Sequence, residues 1–366
     1  MTNNNHLFLD IHVIQTIPPS NVNRDDTGSP KTAQYGGARR ARVSSQAWKK
    51  AMRDYFNKYG AQGDKGVRTL NVPQYVASKI VKIEPDFSPE KAFELANKVV
   101  NAAGINTTLN KKKNKIEAEA LFFIGSKQAE ALAQAALKGT KDKNTLQAIL
   151  KGNLAVDIAL FGRMLARDDA LNEDASAQVA HAISTHAVQT EFDYFTAVDD
   201  WPSENDKGAG MIDTTEFNSS TMYRYANVAV HELYRQLGDK EQTLNTLKLF
   251  IEAFANSMPT GKSNTFANQT LPQAIIVTIR NDRPVNLVSA FEEPIRSAEG
   301  YVAKSIEKLF EEFKNVEKFV RRPEFTLYVT GYDVDNCDVG EAESDLRVLL
   351  NKFYDAMDGL VPEKAE

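Results

Sequence analysis

Only one cysteine, Cys337, occurs in the 366 residues. No internal disulfide can form, and a reducing cytoplasm is the expected setting. Apolar runs are short, and none approaches the roughly 20 residues that span a bilayer. The first of them, from Leu7 to Ile14, is broken by Asp10 and His12, which does not fit a signal peptide. Histidine is scarce too: His6, His12, His181, His186 and His231. If 177–190 is helical, His181 and His186 are five apart and diverge, so no metal site is expected there. Gly261-Lys262-Ser263 resembles the end of a phosphate-binding loop. The motif, however, needs a glycine where Asn256 stands, and a strand before it instead of a helix. No serine has the surroundings of a nucleophile, and the acidic loop around Cys337 disfavours a thiolate. That leaves His12 as the one candidate general base. No cofactor is implied.

What the chain does have is segregated charge. It carries a net charge of -5 and a pI of about 5.7. Between Arg24 and Arg53, however, eight Lys and Arg face only Asp25 and Asp26, a local charge of +6. That segment reads as a glycine-containing loop (Gly28, Gly36, Gly37), a short strand over Arg39–Val43, and a helix capped by Ser44 or Ser45. Loop amides, guanidinium groups and a helix N-terminus all favour anions. Asp25 and Asp26 are expected to hold the loop by turn hydrogen bonds. The opposite sign dominates 191–217, where Glu191, Asp193, Asp199, Asp200, Glu204, Asp206, Asp213 and Glu216 meet Lys207 alone. An acidic protein with one basic track suits a shaped groove or stacked subunits better than a duplex-coating role, and on charge alone a patchwork surface without a role stands equally open.

Periodicity organises the rest. Leu7, Leu9, Ile11 and Val13 alternate with Phe8, Asp10, His12 and Ile14 as a half-buried strand, ended by Pro18 and Pro19. Residues 61–190 are mostly helical, with Ser88-Pro89-Glu90 a strong helix start. Lys111–Lys113 with Lys115 form one basic loop, and Lys138, Lys141, Lys143 and Lys151 cluster about a turn. Both read first as solvated lysines. Further on come a strand over Ser219–His231, a helix from Asp239 to about Met258, a strand over Ala274–Arg280 and helices over Asn286–Ser297 and Val302–Phe313. A strand over Phe325–Val329 and a helix over Glu341–Met357 complete the chain. This order points to an α+β sheet domain of the split-βαβ kind with a helical insertion. Taken alone, Met164 in Phe161-Gly-Arg-Met164 reads as core. Phe195-Thr-Ala-Val198 leads into a long hairpin that, taken alone, reads first as an ordinary surface loop, although its apolar residues could wedge between bases.

Several motifs together resemble one family. They are Asn23-Arg-Asp-Asp, Tyr35-Gly-Gly, Arg39-Arg-x-Arg-Val-Ser-Ser-Gln46, Val156-Asp-Ile-Ala-Leu-x-Gly-Arg-Met164, Ala180-His-Ala-Ile-x-Thr-His186, Asp193-x-Phe-Thr-Ala-Val-Asp-Asp200 and Tyr223-Arg-Tyr-Ala-Asn227. In this order they are similar to the CasC-type backbone subunit of Cascade, the type I-E CRISPR surveillance complex, within the RAMP superfamily. The resemblance implies a modified RNA-recognition-motif (ferredoxin-like) palm over 1–60 and 219–366, a helical fingers insertion over 61–190 and a β-hairpin thumb over 191–218. It also implies a subunit that is no enzyme and polymerises along CRISPR RNA. The thumb would displace a nucleotide at regular intervals, leaving segments of guide to pair with target DNA.

Carried onto this chain, the crRNA contacts would be Arg24, Lys31, Arg40, Arg42, Ser44, Gln46, Lys49, Arg53, Arg163, Met164, Phe195, Thr196 and Val198. Lys138, Lys141 and Lys143 fall where the family can touch duplex DNA. Ala38 departs from the pattern, which has a basic residue there. Partners implied are CRISPR RNA, target DNA through the guide, further copies of the chain, and the large, small, RNA-capping and processing subunits, with no membrane. The competing reading is a metal-independent CRISPR RNA endonuclease of related fold, with His12 as its base.

Overall fold

The computed structural model describes residues 6–60, 65–165, 169–198, 209–334 and 339–363. Cys337 and most of the expected hairpin tip, 199–208, lie outside the described residues. In chain order the elements begin with β1 (Phe8–Ser20), β2 (Thr32–Tyr35), β3 (Ala38–Val43), α1 (Ser45–Tyr59), β4 (Gly66–Thr69), α2 (Val72–Ile83) and α3 (Pro89–Ala102). Next are β5 (Thr107–Asn110), β6 (Lys115–Ala118), β7 (Phe122–Gly125), α4 (Ser126–Leu137), α5 (Lys143–Lys151), α6 (Val156–Phe161), β8 (Ala177–Val179) and β9 (Ala182–Ser184). Then follow β10 (Glu191–Val198), β11 (Ala209–Ala229), α7 (Val230–Leu237), α8 (Lys240–Asn256) and α9 (Ser263–Phe266). The chain closes with β12 (Ala274–Arg280), α10 (Val302–Val316), β13 (Phe325–Thr330), β14 (Glu341–Ala342) and α11 (Leu346–Leu360). The fold is α+β, and among the described residues no helix is long and apolar enough to cross a membrane.

Two compact units divide the chain. The first holds 1–52, 179–227 and 250–356; the second holds 53–178, 228–249 and 357–366. The second unit thus takes in 53–60, 228–249 and 357–366, which the sequence reading groups with the palm, while the first takes in 179–190 from the expected insertion.

The first unit is built on a sheet whose strands run β14-β13-β12-β1-β11-β9-β3-β2. The β1–β12, β12–β13, β11–β9, β9–β3 and β3–β2 pairings are antiparallel and the β13–β14 contact is parallel. Strand β1 is buried on both faces along most of its length, not half-buried, because α10 covers one side of it. Pro18 and Pro19 sit inside the strand rather than ending it; they lie beyond Phe8–Ile14, the stretch that pairs with β12. Proline is tolerated where ladder donors are not needed. The apolar side chains of α10 (Ile306, Leu309, Phe310 and Phe313) pack with Ile14, Ile276 and Tyr328.

Three expectations need correction. The segment Asn286–Ser297 contains only a single turn of 3-10 helix, Val288–Phe291. Residues 177–184, read as helical, are the short strands β8 and β9. Strand β11 gives way to α7 at Val230, before the expected end of the strand at His231.

The second unit is mainly helical. Its core is formed by α2, α3, α4 and α5 around Val76, Ile80, Val99, Leu132, Leu146 and Leu150. Ser88 caps α3 by accepting from Lys91 N, as its place before Pro89 suggests. Two small antiparallel sheets, β4–β7 and β5–β6, interrupt the helices. The Lys111–Lys113 loop is the tip of the second: Asn110 Oδ1 accepts from Lys112 N and Lys113 N, and Lys113 Nζ pairs with Glu117.

A buried polar cluster lies inside the first unit, and His12 belongs to it. His12, Asp10 and Arg280 are wholly buried. Tyr223 donates its hydroxyl proton to Asn286 Oδ1, so His12 Nδ1–H donates to the Tyr223 oxygen at 2.9 Å. Tyr225 donates to Asp10 Oδ1 at 2.7 Å, Val285 N donates to Asp10 Oδ2, and Arg280 Nε stands 3.3 Å from Oδ2. No proton-accepting edge of His12 reaches solvent, which removes it as a general base.

The two groups bias folding in opposite directions with pH. Burial pushes His12 down to about 3, so the unfolded chain binds its proton first and stability from this group is lost as pH falls below 6.5. Burial also pushes Asp10 up to about 7, outweighing Tyr225, Val285 and Arg280. There the folded state holds the proton that the unfolded chain releases near 3.8, so this group destabilises as pH rises from about 4 to 7. Asp10→Asn should therefore make stability climb more steeply with pH between 4 and 7 than in the wild type. Urea denaturation at a series of pH values reads this; parallel profiles would contradict it.

Candidate nucleic-acid interface

The basic segment does not hang loose. Asp25 Oδ1 accepts from Thr27 Oγ1, Thr27 N and Ser29 N, and these bonds, led by the Thr27 hydroxyl, lower its pKa. Asn23 ties the loop to the sheet, its carbonyl accepting from Lys31 N and its Oδ1 from Ser44 N at 2.8 Å. Arg24 is left exposed, bridged through its backbone to Pro30. Gly36 and Gly37, read as part of a flexible loop, form the two-residue turn between β2 and β3, with φ of 57° and 71°. At Gly36 a Cβ would lie 1.5 Å from the Glu292 carbonyl oxygen, so that turn must be glycine.

Strand alternation puts Arg40 and Arg42 on one side of β3, and their fates differ. Arg40 has no accessible surface. It donates from Nε to Tyr35 O, from Nη1 to Ser184 O at 2.9 Å, and from Nη2 to Phe291 O at 2.8 Å and Glu292 O. A guanidinium so engaged and so buried braces the sheet against the 3-10 turn and presents no surface to a phosphate. Arg42 lies past that cover and is half-buried. Its Nε donates to Thr32 O and its Nη1 to His181 Nδ1 at 3.2 Å, and no described residue engages Nη2. Among the described residues Arg24, Lys31, Arg39 and Arg42 have no ion-pair partner. Ser44 is buried and caps α1, accepting from Ala47 N, while Gln46 is exposed on the first turn. Lys49 is half-buried, and burial pulls its pKa down.

Arg53 and Arg163 belong to the second unit and serve its interior. Arg53 Nε lies 3.2 Å from Asp157 Oδ2, and its guanidinium stacks over Phe123 at 4.4 Å. Asp157 also accepts from Gly66 N at 2.8 Å, while burial raises its pKa against the pull of Arg53. Arg163 is buried, donating to the carbonyls of Leu171, Phe123 and Leu150. Burial brings its pKa down to about 10. Gly162, at φ 75°, leads into this turn, and a Cβ there would meet Glu173 O at 2.8 Å. The turn throws the next side chain outward: Met164 is 87% exposed, the opposite of the core position its composition suggests. Lys138, Lys141 and Lys143 are exposed around the α4–α5 connection, where Asp142 caps α5.

Strands β10 and β11 form a two-stranded ribbon in the first unit. Phe195 pairs with Asp213, Thr196 with Ile212 and, after a bulge, Val198 with Ala209. Apolar side chains are unusually exposed here, among them Phe192 at 67%, Tyr194 at 65% and Ile212 at 59%. Thr196 is exposed, and Phe195 is 37% exposed. The described residues include no group of His, Cys, Asp and Glu able to hold a metal.

A family model described as CT1975-like protein matches residues 9–352. The chain belongs to the CT1975-like family. A solved chain from a "CRISPR RNA-guided surveillance complex, pre-nicking" aligns with this CT1975-like chain at 32% identity and a TM-score of 0.84, covering 95% of this chain and 99% of that one. A second, from a "CRISPR RNA-guided surveillance complex", aligns at 29% identity and a TM-score of 0.64, covering 96% and 99%. No curated protein matches. The CT1975-like chain therefore spans essentially the whole of each solved relative.

Proposed function

We propose that this chain is the crRNA-binding, polymerising backbone subunit of a Cascade-type CRISPR complex, of the CasC, type I-E kind. The observation that carries the reading is the near-complete alignment with a surveillance-complex chain, at a TM-score of 0.84 and 32% identity. In this reading the first unit supplies the palm, the β10–β11 ribbon the thumb and the helical second unit the fingers. Lys31, Arg42 and Arg24 grip phosphates, with Gln46 and Lys49 on the adjoining helix. Ser44, Arg40, Arg53 and Arg163 hold the surfaces from beneath. The bases are left to read target DNA by pairing, and the protein performs no chemistry of its own.

Met164, with Phe195, Thr196 and Val198, is the set that displaces a nucleotide at each subunit. An 87% exposed methionine costs the fold little to keep and little to lose, which suits a wedge. The acidic ribbon acts sterically and meets the next copy, while Lys138, Lys141 and Lys143 approach the target duplex. The other partners are the large, small, RNA-capping and processing subunits.

Met164→Ala should leave stability within about 0.5 kcal/mol of wild type, as for exposed positions generally. RNA should still co-purify, but the regular spacing of nuclease-protected and nuclease-sensitive sites along it should blur. An unchanged footprint would contradict the wedge.

A further inference from the structure

Lys31, immediately before β2, stands across from Arg42 of β3, with Arg42 N donating to Lys31 O at 2.9 Å. Opposed like charges repel, and no described carboxylate relieves this pair. A third group is built into the same place. Pairing of Val43 with Ala182 brings His181 alongside, with its Nδ1 3.2 Å from Arg42 Nη1 and 3.3 Å from Ser45 N. A guanidinium and a backbone amide can only donate, so Nδ1 must accept and the ring proton sits on Nε2. Protonating Nδ1 would cost both bonds and add a third positive charge beside Arg42 and Lys31. Burial, Arg42 and Lys31 all oppose that charge, in that order. His181 is exposed, and no described residue accepts from its Nε2–H.

Resting on the RNA-binding reading, we infer that His181 donates its Nε2–H as a neutral, directional contact to a phosphate oxygen held by Arg42 and Lys31. The ring adds a donor where a further cation would be repelled. Arg42 and Ser45 fix its tautomer and its orientation. The sequence reading sets His181 aside as a metal ligand and quotes it within a family motif without a role, because a helix there hides its approach to Arg42.

Affinity of the full chain for a single-stranded RNA oligonucleotide tests this at fixed salt. His181→Leu should bind about tenfold more weakly, the loss expected for one hydrogen bond to a charged group. His181→Gln, whose amide can donate from a similar position, should recover to within about threefold of wild type. Wild-type affinity should stay flat from pH 7.5 to 8.5, and nitrogen-15 NMR of the free protein in that range should show the Nε2–H tautomer. Equal affinity in wild type and His181→Leu, equal losses in Leu and Gln variants with unchanged melting, or an Nδ1–H tautomer would overturn the assignment. Failure of the wild type itself to bind RNA would instead overturn the underlying reading.

Discussion

Replacing Lys31 and Arg42 together by alanine should strip the purified protein of RNA while leaving the fold in place. Each forms a charge-assisted contact in the proposed complex, worth about 1.5–3 kcal/mol, so the pair should cost at least about 100-fold in affinity. The salt dependence should shift as well. Two lost phosphate contacts reduce the slope of log K against log salt by about 1.4 for a single strand. Folding should suffer little, because among the described residues the Lys31 side chain has no partner and Arg42 gives up only its bonds to Thr32 O and His181. Removing two opposed like charges offsets part of even that loss. RNA content measured by extraction and by oligonucleotide titration checks the outcome; a double variant with undiminished RNA would contradict it.

Arg40→Ala should do the reverse, although it lies two residues from Arg42 on the same side of the strand. It should cost about 3 kcal/mol or more of stability, because several buried carbonyl oxygens lose a charged donor at once. Those of Tyr35, Ser184, Phe291 and Glu292 are affected. Arg40→Lys should rescue little, since a single ammonium cannot span carbonyls that a planar fork reaches together. The fraction that remains folded should bind RNA like wild type. Urea denaturation and RNA titration on the same samples separate the two effects. A fully stable Arg40→Ala that has lost RNA would return Arg40 to the phosphate track.

This contrast shows what could be read from the chain and what could not. Local signals were legible: β3, the Ser44 cap of α1, the Ser88 cap of α3 and the Asp239 start of α8 depend on neighbours a few residues away. Alternation also placed Arg40 and Arg42 on one side correctly. It could not show that Phe291 and Glu292, some 250 residues on, cover one and spare the other. The same limit applies to Arg53, whose partner Asp157 is 104 residues away. Short strands such as β9 carry too few residues to display a period, so His181 was misplaced on a helix. Met164 failed for a different reason. Composition favours burial of methionine, whereas the positive φ of Gly162 and the turn it starts turn this one outward. Only the ordered motifs of the family resemblance pointed to its exposure.

Native mass spectrometry of the purified chain with its bound RNA bears on the polymer itself. Several protomers should ride on one RNA, and species differing by one protomer should differ by a constant length of protected RNA. A lone protomer free of RNA, or an oligomer that assembles equally well without RNA, would contradict a backbone subunit that counts along its guide.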